Sequence, residues 1–169
     1  MAPEEMNNAL PPELLLFSGN TDEWVQYQEN LFVIFRSDLL QTTLLFRGLR
    51  VNPRRFPEFR GKHFTFWHII SEGDFESERF PDLRRCERIR WIAWIIANCD
   101  GHDGISYWES KRGSSQNFVL WYEKGQFVVI LAKRSTYFVL LSAYHVTDER
   151  RIATFKRDRD AYLAKKPKS

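Results

Sequence analysis

The period of the apolar positions changes along the chain, and each change marks an element. Trp24, Tyr27, Leu31, Ile34 and Phe35 recur at spacings of three and four, which is one face of an amphipathic helix. Asn20-Thr21-Asp22, with Glu23 behind it, supplies an N-cap, and the helix is expected to end near Leu40. Over residues 46–68 no period holds, because Pro53 and Pro57 prevent a long helix and Gly48 and Gly61 punctuate the stretch. Residues 64–70 are too apolar for a free loop, which predicts a short helix or a buried strand. Residues 71–82 form an acidic connection. Pro81-Asp82 then opens a second helix over about 83–98, with Asp82 suited to the positive end of its dipole and Asn98-Cys99-Asp100-Gly101 stopping it. The apolar half of this helix, residues 91–96, requires a sheet to cover it. Arg84, Arg85, Arg88 and Arg90 would emerge at the sheet's edge.

Beyond Gly104 the pattern becomes that of strands, expected at 105–110, 117–123, 127–132 and 136–146. The links between them are short and turn-like: residues 111–115, Lys124-Gly125 and Lys133-Arg134-Ser135. Gly125 is expected to supply a positive φ. None of these links is long enough for a crossover, so the strands should form a four-stranded antiparallel meander. Thr147 or Asp148 then caps a last, highly charged helix reaching about Ala164, with Ile152, Phe155, Tyr162 and Leu163 as its packing stripe. The fold class read from this order is α+β: helices, a four-stranded antiparallel meander and a C-terminal helix, with the helices on one face of the sheet. Residues 1–12 read as a disordered leader, 13–164 as one domain and 165–169 as a basic tail.

Composition narrows the classes. A length of 169 residues suits one domain, and 43% hydrophobic residues suffice for a core. Cys86 and Cys99 are too few for a disulfide framework and lack zinc spacing, so both are expected reduced and buried. The leader lacks the basic start and apolar centre of a signal peptide, and no apolar run is long enough to span a membrane. A cytoplasmic protein is the expectation. The net charge of +3 is small, but its distribution is uneven: Arg47, Arg50, Arg54, Arg55, Arg60 and Lys62 face only Glu58. Ordinary surfaces mix signs more evenly.

No GxGxxG, GxxxxGK[ST], HExxH or GxSxG pattern is present, and the acidic residues do not cluster as metal ligands would, so no cofactor and no metal is expected. His63 and His68 follow the basic run. An imidazole exchanges protons near pH 7, and guanidinium and ammonium groups hold phosphate and the charge that builds on it in a transition state. Metal-free RNA cleavage needs that combination. A histidine beside Trp67 also fits a partly buried structural position, and a basic loop also fits a solvated face. A non-catalytic module that binds RNA or a partner protein through the same basic face therefore stays open. So does a phage-derived structural protein, which would show a large flat apolar patch and oligomerise.

Three stretches carry a resemblance: residues 61–73 (GKHFTFWHIISEG), residues 81–92 (PDLRRCERIRWI) and the last strand with Ser142-Ala143-Tyr144. Over about residues 44–150 the chain resembles small bacterial and phage-related proteins, and through them the group of metal-independent ribonucleases that includes barnase, EndoU, the colicins and the RelE toxins. The resemblance implies helices followed by a four-stranded antiparallel sheet. It further implies an endoribonuclease of toxin type acting on RNA, with a neutralising antitoxin as a possible partner. The site residues it implies are Lys62 and His68, then Arg85, Glu87 and Arg88, then Ser142 and Tyr144. Arg84, Arg54, Arg55 and His63 would add phosphate contacts, His63 matching less well than His68. Glu87 is either the second proton-transfer group or a salt-bridge partner of the surrounding arginines.

Overall fold

The computed structural model describes residues 7–112 and 114–165. The Asn20 side chain accepts from the Asp22 N–H at 3.0 Å and starts a 3-10 turn, Thr21–Glu23, that feeds helix α1, Trp24–Phe35. A π turn, Arg36–Leu40, ends it, and Tyr27, Leu31 and Phe35 are buried. Two short strands follow, β1 (Leu45–Phe46) and β2 (Leu49–Pro53), joined by Arg47 and Gly48, both at positive φ, as a two-residue hairpin turn of this hand requires. The apolar stretch that follows is a helix, α2 (Phe64–Ile70). A small ladder of β3 (Ser71–Glu72) and β4 (Phe80–Pro81) leads to α3 (Leu83–Glu87), where Asp82 accepts from the N–H groups of Arg84 and Arg85. The expected single helix over 83–98 is interrupted at Arg88 (φ −104°, ψ 18°) and resumes as α4, Ile89–Asn98.

Strands β5 (Ile105–Arg112), β6 (Ser115–Tyr122), β7 (Phe127–Lys133) and β8 (Tyr137–His145) are each antiparallel to the next. The sheet they belong to has six strands in the order β1-β2-β8-β7-β6-β5, and β2 lies parallel to β8, with Arg50 opposite Tyr137 and Pro53 opposite Leu140. The four-stranded antiparallel sheet expected from the sequence is thus corrected to a six-stranded mixed one. Helix α5 (Glu149–Lys165) is capped by Asp148, which accepts from the N–H groups of Arg150 and Arg151.

Helices pack on both faces of the sheet, not on one. Ile89, Ile92, Ile95 and Ile96 of α4 join Leu31 and Phe35 of α1 over Phe118, Leu120, Val129, Leu131 and Leu140. On the opposite face Phe155 of α5 meets Trp108 and Trp121 at ring separations of 5.4 and 5.6 Å, with Val119 and Val128 beside them. Phe155 is the only described residue of α5 that is buried, so burial of that ring, worth roughly 2–3 kcal/mol, holds much of the helix in place.

The β6–β7 turn holds a surprise. Its positive φ falls on Gln126 (52°), not on Gly125. Glycine is needed at 125 because a Cβ there would lie 2.5 Å from Trp91 Cζ3 and 2.7 Å from Tyr122 Cδ2. Residues 7–12 of the expected disordered leader make defined contacts. Asn7 pairs with Asn98, His102 Nε2 lies 2.8 Å from the Ala9 carbonyl, and Trp91 Nε1 donates to the Pro12 carbonyl at 2.8 Å. The rest of that leader, and the basic tail beyond Lys165, lie outside the described residues. Cys86 and Cys99 are free and buried. Among the described residues no helix is long and apolar enough to cross a membrane.

Candidate functional site

The sheet face that carries α5 is only partly covered. Between α5 and α2 lies a groove of about 600 Å³. Its floor comes from alternate residues of neighbouring strands, among them Ser110, Asn117, Ile130, Ser142 and Tyr144, and its walls are Phe64 and His68 on one side and Arg151, Thr154 and Asp158 on the other. A β-bulge shapes the floor. Ile130 pairs with Ser142 but Leu131 pairs with Leu140, so Leu141 is the extra residue and strand β8 changes face there. Leu141 and Ser142 consequently both face the groove.

His68 sits in the last turn of α2, whose terminal carbonyls two arginines satisfy. Arg79 Nη2 donates to the carbonyls of His68 (3.0 Å) and Ser71 (2.6 Å), and Arg85 Nη1 donates to the same two at 3.3 and 2.7 Å. The imidazole is one quarter exposed and stacks on Phe64 with centroids 5.5 Å apart, while the Arg54 guanidinium lies 4.6 Å from the Phe64 centroid. Nδ1 is buried without a hydrogen bond, and Glu76 Oε1 stands 3.5 Å away. Burial, and then the Arg79 guanidinium, hold the His68 pKa below its usual 6.5, with Glu76 opposing and Arg85 adding to the depression. At neutral pH the ring is therefore uncharged and ready to accept a proton.

Across the groove the Tyr144 hydroxyl accepts from Arg151 Nη1 at 2.8 Å. The guanidinium carbons of Arg85 and Arg151 lie 5.5 and 5.6 Å from the Tyr144 ring centroid. A phenol oxygen that accepts from a guanidinium keeps its own proton to donate.

The remaining expected residues are placed elsewhere. Lys62 is 9% exposed, pairs with Glu29 of α1 at 2.7 Å and lies over Phe32, so it does not line the groove beside His68. Glu87 pairs with Arg88 at 3.3 Å, which is the salt-bridge alternative, and neither lines the groove. Arg88 also donates to the Arg84 carbonyl and covers Trp91. Arg84 is exposed at the start of α3. Arg85 touches the groove through Tyr144, but its hydrogen bonds hold α2, and its Nε lies 3.3 Å from Asp82. Arg55 pairs with Glu58 at 2.6 Å, and Arg54 donates to the Phe56 carbonyl. His63 packs against Phe35, its pKa lowered by burial and by Arg55, with Glu58 opposing.

Sequence reasoning missed Arg151, Thr154 and Asp158. With Phe155 they follow the 0, 3, 4, 7 spacing of one helix face, a signal lost in a helix charged on every side. Arg79 left no signal at all. Among the described residues no group of three His, Cys, Asp or Glu comes together as a metal site. Compared with protein families, with curated proteins and with solved structures, the chain matches none.

Proposed function

We propose that this chain is a metal-independent endoribonuclease of toxin type, built on the plan of the barnase, EndoU, colicin and RelE group, and that its groove is the cleavage site. One observation carries the reading: the His68 imidazole on α2, Ser142 and Tyr144 on β8, and the Arg151 guanidinium on α5 line the same open groove. In the reaction His68 accepts the proton of a ribose 2′-hydroxyl, and that oxygen attacks the adjacent phosphorus. Arg151 offsets the charge that gathers on the phosphorane oxygens, and Ser142 donates a hydrogen bond to them. The bond to the 5′-oxygen breaks, and that oxygen takes the Tyr144 proton. The products are a 2′,3′-cyclic phosphate and a 5′-hydroxyl, and solvent returns the proton from His68 to Tyr144.

A second reading keeps the groove and drops the turnover. Arg79 and Arg85 spend their guanidiniums on main-chain carbonyls, the Ser71 hydroxyl and Asp82, which favours a module that binds RNA without cutting it. Incubating the protein with total RNA in EDTA separates the two. Fragments with cyclic phosphate ends, lost in His68→Ala, support the nuclease. Intact RNA that remains bound refutes it and leaves the binding module.

A further inference from the structure

The bulge that places Ser142 and Tyr144 in the groove also keeps Tyr137, Val139 and Leu141 on the same side, since these alternate along β8. Leu141 lines the groove and also a second cavity of about 570 Å³, so the two meet at that residue. Arg54, Arg55, Phe56, Arg134 and Tyr137 contribute to its walls, and among the described residues no Asp or Glu lines it. The Arg55 charge is offset by Glu58, but the other two guanidiniums donate to carbonyls: Arg54 to Phe56 and Arg134 to Lys133. Among the described residues neither of these two pairs with a carboxylate. The segment is anchored, because the Arg54 N–H donates to Thr65 Oγ1 and the carbonyls of Arg54 and Arg55 accept from the first turn of α2. Phe56 is nevertheless 64% exposed, with the Arg55 guanidinium 5.2 Å from its ring centroid.

We propose that this second cavity binds unpaired nucleotides of the same RNA strand, next to the nucleotide held in the groove. This rests on the reading of the groove as an RNA site. Arg54 and Arg134 hold phosphates, and Phe56 and Tyr137 offer ring faces to bases. Those faces serve only bases that are not already stacked within a duplex, so the substrate is single-stranded RNA. Guanidiniums beside aromatic rings, two of the three unpaired with a carboxylate among the described residues, are the chemistry that follows a single strand.

The test uses a fluorescent single-stranded RNA with 2′-fluoro ribose, which cannot be cleaved, and its duplex, with binding read by anisotropy. Wild type should prefer the single strand. Arg134→Ala, at an exposed turn, and the double variant Phe56→Ala/Tyr137→Ala should each weaken single-strand binding roughly tenfold, the scale of one lost stacking contact. Cleavage of a dinucleotide, which fills the groove alone, should be unchanged in both. Variants that bind the single strand as wild type does would overturn the proposal, as would equal binding of the duplex. Because Arg134 touches no core, its variant decides even if the double variant misfolds. The loss of strand binding in these variants reports on this cavity and dinucleotide cleavage in EDTA on the groove's chemistry, so either can fail without the other.

Discussion

Replacing His68 by alanine separates the proposed chemistry from the architecture. The ring is one quarter exposed, stacks on Phe64 and buries an Nδ1 that makes no hydrogen bond. Losing the stacked contact costs about 0.5–1.5 kcal/mol. Removing a buried nitrogen without a partner returns part of that, because its desolvation is no longer borne. The net loss is then about 1 kcal/mol or less, which in a chain of this length lowers Tm by roughly 2–4 °C. The chemical effect is on another scale, since a general base contributes about 100- to 10,000-fold, or roughly 3–5 kcal/mol of transition-state stabilisation. Initial rates on a labelled RNA in EDTA, beside calorimetric melting of both proteins, read the two effects separately. The expected variant melts within a few degrees of wild type and cleaves at least about a hundredfold more slowly. In wild type the acid limb of kcat/KM should fall below pH 6.5, because the surroundings of His68 depress its pKa. A variant rate near that of wild type would refute the role. So would a Tm loss beyond about 10 °C, which at this size marks a core position.

Gly125→Ala should cost about 1–3 kcal/mol, because the new methyl meets Trp91 and Tyr122, whereas Gln126→Gly should be neutral or stabilising; the reverse order in melting experiments would return the glycine requirement to the turn's φ. Stability should also depend on pH through His63, His68 and His145. Burial, and then neighbouring arginines, hold all three below 6.5 in the folded chain, so the unfolded chain binds protons more readily. That contribution is complete above pH 6.5 and is lost as pH falls through the depressed values. Tm should therefore drop between pH 7 and 5, and the triple His→Gln variant should flatten the drop; an unchanged slope would show that other groups set it.

The longer elements were legible because their periods run long enough to count. Helix α1, the four strands after Gly104 and the cap of α5 by Asp148 all stand where alternation, threefold spacing or a capping residue place them. Strands β1 and β2 were not legible, since neither offers enough alternation and Gly48 and Pro53 argue against strand. The break at Arg88 left no mark either, as good helix formers surround it. For the site, the sequence indicated kinds of side chain but not their partners. Lys62, Glu87 and Arg88 looked available and are occupied by Glu29, by each other and by Trp91. Simple alternation also puts Tyr137 and Tyr144 on opposite faces of β8, and only the bulge at Leu141 brings them to one side. A bulge is a choice of register made by the neighbouring strand, which a single strand's sequence does not record.

The parallel pairing of β2 with β8 sets an order on the birth of the molecule. β2 leaves the ribosome early, yet the strand that completes its ladder follows only after three further helices and five strands have been made. Until then β2 presents an open edge, and the N-terminal half must wait on contacts distant in sequence, a slow route to the native state. Ser142 and Tyr144 arrive with that late strand, and Arg151 and Asp158 arrive later still on α5. No nascent fragment that stops short of β8 can assemble the groove. A chain with the proposed activity is thereby inert until both β8 and α5 have left the ribosome.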